Sequence, residues 1–162
     1  MAWSPQLSAL CLLGMSLAAC GFHLQGRAPL PAQVKTPYLE APDRQSEFVQ
    51  SLRHALLSNG AQLMTDKGNA SAVISILQDQ VTRRVVSVSA ANQPNQYEIT
   101  QTVRVSVTAA DKELLPAQEI VATRTFSFSE PLLLAKGHEE DVLRQDMARD
   151  LADRVMRLLS RL

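Results

Sequence analysis

The chain has 162 residues in which 16 Lys and Arg balance 16 Asp and Glu, so a polyanion binder or an acidic solvating tail is excluded as a description of the whole. Hydrophobic residues make up 46%, an ordinary globular share, while aromatic residues at 4% argue against a surface built to stack on bases or sugars. The length suits one domain.

The first nineteen residues contain no Asp, Glu, Lys or Arg, and Leu7 to Ala19 is mostly apolar. That stretch is shorter than the ~20 residues needed to cross a bilayer and reads as the h-region of a secretory signal, although Met1 to Gln6 lacks the usual basic residue. Leu17-Ala18-Ala19-Cys20 places two small residues before a cysteine and resembles the lipobox of bacterial lipoproteins. The resemblance implies that residues 1–19 are removed and that Cys20 carries a thioether-linked diacylglycerol and an acylated amino group. The alternative is an ordinary signal peptide with a chance cysteine. Cys11 then leaves with the leader and Cys20 is blocked, so residues 20–162 can form no disulfide. At ~0.8 kcal/mol per buried methylene, several acyl chains would hold the chain on a membrane. Gly21, where an Asp would resemble an inner-membrane retention signal, implies sorting to the outer membrane of a Gram-negative bacterium.

Residues 20–32, with Pro29 and Pro31, form a tether, and residues 33–162 form the domain. Alternation predicts a strand from Gln33 to Leu39, which Pro37 confines to a sheet edge. A helix follows: Asp43 or Ser46 can cap it, Phe48, Val49, Leu52, Ala55 and Leu56 recur at helical spacing, and Asn59-Gly60 stops it. From Ala70 to Phe128 the period is two. A long strand runs through Val88, interrupted by Arg83 and Arg84, and Asn92-Gln93-Pro94-Asn95 turns the chain. Tyr97, Ile99, Gln101, Val103, Val105 and Val107 share the buried face of the next strand. Asp111-Lys112-Glu113 and Pro116 read as a loop, and Ile120 to Phe128 alternates again, completing an antiparallel meander. A long amphipathic helix from about Glu139 to Leu162 carries the stripe Leu143, Met147, Leu151, Val155, Leu158 and Leu162, with acids in its first turn and arginines in its last. The predicted fold class is α+β, with two helices on one face of a four-stranded, mainly antiparallel sheet and a polar opposite face.

His23, His54 and His138 lie on separate elements without a second ligand at helical spacing, so no metal site is expected. Neither a phosphate-binding glycine loop nor a G-x-S-x-G elbow occurs, and Glu139 and Glu140 sit where a helix start favours acid. These residues point to a binder or scaffold, not an enzyme, with no cofactor beyond the covalent lipid on Cys20.

Cys20-Gly21-Phe22-His23-Leu24-Gln25-Gly26 resembles the mature start of the LptE family of lipopolysaccharide-assembly lipoproteins, as do the element order and Leu133-Leu134-Ala135-Lys136 before the last helix. The sequence departs from the family at Gln25, where Arg is frequent, and at Ala90 to Gln93, where some members carry a basic residue. The resemblance implies a partner, the LptD β-barrel, whose lumen the lipoprotein plugs while the pair delivers lipopolysaccharide to the outer leaflet. A plug needs polar surface against a polar lumen, and the Thr, Ser and Gln of the outer strand faces supply it; an ordinary solvated sheet would look the same.

Contact with lipopolysaccharide calls for cations facing phosphates. Lys136 matches the family's Leu-Ala-Lys segment and is expected in a loop. Arg83 and Arg84 are candidates of which one alone can lie on a given sheet face, and each could instead protect a strand edge. Arg104 on the polar face is a further candidate. The alternative function is a periplasm-facing lipoprotein that scaffolds a soluble partner or the cell wall without a barrel.

Overall fold

The computed structural model describes residues 30–90, 92–110, 112–127 and 133–162, with side chains from residue 140 onward in the last range. Cys20 and the Gly21–Gly26 motif lie outside these residues. The chain forms strand β1 (Pro37–Glu40), helix α1 (Glu47–Ser58), strands β2 (Ala72–Val88), β3 (Pro94–Ala109) and β4 (Lys112–Ser127), and helix α2 (Leu133–Leu159). The sheet order is β1-β2-β3-β4, so the expected α+β architecture is present.

β1 runs parallel to β2, pairing Pro37–Glu40 with Ala72–Ser75, because a helical crossover separates them. The meander β2-β3-β4 is antiparallel throughout. β1 is shorter than predicted. Ala32–Val34 is a 3₁₀ turn that buries Val34, and Leu30, on the tether side of the expected boundary, is buried as well. Pro37 stands at the first position of an outer strand, where the missing N–H costs nothing.

Ser46, not Asp43, caps α1 by accepting from the Val49 N–H at 3.2 Å. Gly60 takes φ +86°, the left-handed conformation expected after Asn59. Phe48, Leu52 and Leu56 of α1 meet Met147, Leu151, Val155 and Leu159 of α2 over Ile74, Ile99, Val103, Val105 and Val107 of the sheet. Gln101 shares this face and is buried; its Nε2 donates to Asp79 Oδ1 at 2.9 Å, which meets the requirement of a buried amide.

Several boundaries differ from those read in the sequence. β2 is continuous through Arg83 and Arg84, since an exposed charged side chain leaves the backbone ladder intact. Lys112, Glu113 and Pro116 belong to β4, where a register shift between Val105 and Val107 of β3 accommodates the proline on the outer edge. α2 begins at Leu133, so Lys136 and Gly137 are helical and not in a loop, and no acid occupies its first turn. At its other end Leu159 is buried where Leu158 was expected, because the buried face of the helix also takes in Ala148, Ala152 and Met156 and is centred on their side of the stripe. No helix among the described residues is long and apolar enough to cross a membrane.

Candidate functional site

The register of β2 with β3 decides which way each candidate cation points. Arg83 stands opposite Ile99, so it shares the helix-facing side with the core. Arg84 stands opposite Glu98 and Arg104 opposite Gln78 and Glu119, on the open side. Adjacent residues of a strand face opposite ways, as expected for the two arginines.

Arg83 lies where β2 has run past the four paired residues of β1. Its Nη1 donates to Glu140 Oε2 at 3.1 Å, and its guanidinium carbon stands 5.0 Å from the Tyr97 ring centroid. Glu140 also accepts from Arg144 Nε at 3.1 Å and Nη2 at 2.6 Å through its other oxygen. Burial by itself would raise the Glu140 carboxyl, but hydrogen bonds and charge from Arg144, then from Arg83, outweigh it and hold its pKa below the ordinary value. Two guanidiniums thus share one carboxylate, which leaves a local charge of +1. Val81 and Val85 lie on the same face to either side of Arg83 and are 37% and 47% exposed. A cation flanked by exposed apolar side chains matches an amphipathic anion better than a free ion.

The backbone of Lys136 lies one helical turn before Glu140 on α2; its side chain falls outside the described ones. Arg84 donates through Nε to Glu98 Oε1 at 2.6 Å, which raises its pKa, chiefly through that hydrogen bond. Arg104 is exposed and has no ion-pair partner among the described residues. The four candidate cations therefore do not form one site: Arg83 joins the helix side, and Arg84 and Arg104 lie on the opposite face. Arg144 is the member that sequence reasoning missed, and its i,i+4 spacing from Glu140 was the available signal.

The open face of the meander is lined by Gln80 and Thr82 of β2, Gln96, Thr100 and Thr102 of β3, and Thr123 and Thr125 of β4. Thr100 and Thr123 share a hydroxyl hydrogen bond at 3.3 Å. No group of His, Cys, Asp and Glu among the described residues could hold a metal ion.

A family model described as "LptE: Lipopolysaccharide-assembly" matches residues 34–159. The chain is 29% identical over 153 residues to a Pectobacterium atrosepticum protein named LPS-assembly lipoprotein LptE, covering 91% of this chain and 82% of that one. A protein of the same name from Photorhabdus laumondii is 29% identical over 152 residues, with the same coverages. Among solved structures, lipoprotein B from Nitrosomonas europaea superposes with a TM-score of 0.71 at 27% identity, covering 86% of this chain and 90% of that one. Rare lipoprotein B from Shewanella oneidensis gives 0.67 at 23% identity, over 77% and 93% of the two chains, and shares the fold.

Proposed function

The chain belongs to the LptE family of lipopolysaccharide-assembly proteins, and from that membership we propose that it is an outer-membrane lipoprotein, anchored through a lipid on Cys20, that plugs the LptD β-barrel and binds lipopolysaccharide on its way to the outer leaflet. It works by binding, with no catalytic step and no cofactor beyond that lipid. The Thr and Gln side chains of the open face supply hydrogen-bonding groups suited to a polar barrel lumen. The zero net charge suits a wall of mixed sign.

The observation that carries the ligand reading is Arg83 between exposed Val81 and Val85, with Glu140 shared by a second arginine. Lipopolysaccharide combines phosphates with acyl chains. A phosphate entering at Arg83 can take over guanidinium donors that Glu140 holds only in part, and Arg144 keeps the carboxylate paired meanwhile. Lys136, one turn up α2, is the proposed second cation.

Affinity capture of the full chain from outer membranes tests the partner. A detergent-stable complex with a large β-barrel protein is the expected result; a lipoprotein recovered free at full abundance favours the periplasmic scaffold instead. Cys20→Ser is expected to abolish acylation and membrane retention, and normal retention of that variant overturns the anchor.

A further inference from the structure

Among the described residues Arg83, Arg84, Arg124, Arg144, Arg149 and Arg154 each make a salt bridge, whereas Arg104, Arg157 and Arg161 make none. Arg44 and Arg53 also make none, and these two line the same cavity. It is a cleft open to solvent between α1, β1 and the segment around Leu63, with a volume of about 130 Å³, and its lining includes Arg44, Arg53, Tyr38, Thr65 and apolar Val49 and Leu63 but no Asp or Glu.

The elements fix both arginines. Arg53 follows Val49 by one turn, so both side chains project from one face of α1 into the cavity. Arg44 precedes the helix. Its carbonyl accepts from Gln50 Nε2 at 2.6 Å, and its Nη2 donates to the Tyr38 hydroxyl at 2.7 Å with the guanidinium over the Tyr38 ring, its carbon 5.8 Å from the centroid. A guanidinium has five N–H donors and Tyr38 takes one, so Arg44 is oriented while most of its donors stay available. Arg53 has no hydrogen-bond or ion-pair partner among the described residues. On the far wall Met64 continues the sheet, its N–H donating to the Pro37 carbonyl at 2.9 Å, which braces the segment that carries Thr65.

We propose that this cavity is an oxyanion site for a phosphate group, separate from Arg83 and independent of the family reading. Two arginines lining one cavity match the charge and fork geometry of phosphate oxygens, and the hydroxyls can donate to a remaining oxygen. The phosphate can be free or the headgroup of a membrane phospholipid.

The test is amide NMR of the full chain, following Tyr38 and Thr65 during titration with inorganic phosphate and, separately, with short-chain phosphatidylglycerol below its micelle concentration, against chloride at matched ionic strength. Saturable shifts with either phosphate compound and not with chloride are expected; response to the lipid alone assigns the headgroup as source, and response to inorganic phosphate assigns the free ion. Arg44→Gln with Arg53→Gln should weaken binding by about tenfold or more. Arg53→Gln by itself, at a side chain that holds nothing in the fold, should give a measurable part of that loss. Absence of saturable shifts with both compounds, or equal binding by wild type and the folded Arg53→Gln variant, overturns the site.

Discussion

Arg154 of α2 reaches the backbone of the sheet edge: its Nη1 donates to the Val121 carbonyl oxygen at 3.1 Å. β4 is the last strand of the sheet, so a carbonyl turned away from β3 has no strand to pair with. The next such carbonyl, that of Thr123, accepts from Arg124 Nη1 at 3.0 Å. Both arginines also hold Asp150, which ties the two edge contacts to α2. Side chains here occupy acceptors that an incoming strand would need.

Arg154→Ala is therefore expected to lose about 1–2 kcal/mol of stability, a hydrogen bond and part of an ion pair, and to raise self-association because the β4 edge is opened. Thermal melting with light scattering checks both parts. A variant that melts as wild type and stays monodisperse would show that the edge is protected by other means.

The two sheet faces separate the candidate cations functionally. Arg83→Gln, alone and with Lys136→Gln, is expected to weaken lipopolysaccharide binding, by roughly 1.5–3 kcal/mol for each charge-assisted hydrogen bond removed. Arg84→Gln and Arg104→Gln, on the open face, should leave it unchanged. Thermal melting of all four variants should stay close to wild type, since exposed ion pairs are worth at most about 1 kcal/mol. Equal weakening by Arg84→Gln would move the ligand to the open face.

Helix α1 depends on its two ends. Ser46→Ala removes the acceptor for the Val49 N–H and should cost about 0.5–2 kcal/mol. Gly60→Ala should cost about 1–2 kcal/mol from backbone conformation, because φ is +86° while nothing lies within 4 Å of the added methyl. Chemical denaturation of the two variants measures both.

Acid should lower the stability of the domain through three carboxylates. Glu40 is held below its ordinary pKa first by a hydrogen bond from Lys67, Asp150 first by one from Arg154, and Glu140 by Arg144 and Arg83 acting against its burial. A carboxylate with a depressed folded pKa contributes stability that is complete above its unfolded pKa and is lost as pH falls through the folded value. Stability set by these groups should be flat from pH 7 to about pH 5 and decline progressively below about pH 4.5. Arg144→Gln should shrink the decline by relaxing Glu140, as urea unfolding at stepped pH would show.

The alternation from Tyr97 to Val107 and the recurrence of Phe48, Leu52 and Leu56 were legible because each depends on residues a few positions apart. A strand or helix with one apolar face declares its own period. Ser46, Gly60 and the edge position of Pro37 were equally local, as was the bare fact that Arg83 and Arg84 face opposite ways. The start of α2 was not legible. Gly137 costs about 1 kcal/mol in a helix interior and so reads as a boundary, yet local preference is a weak prior and the helix runs back to Leu133.

Which charges meet is settled by packing across the whole fold. The element types, the core face of each and the order that packs two helices on one side of a meander follow from local residue patterns. The sequence by itself could not determine that Arg83 meets Glu140, 57 positions away, or that Gln101 finds Asp79. Nor could it put Arg44 and Arg53 in one cavity with Tyr38. Periodicity is a property of one element, whereas an ion pair or a cavity depends on the register between strands and on where each helix lies over the sheet, and those are set by packing of the whole core.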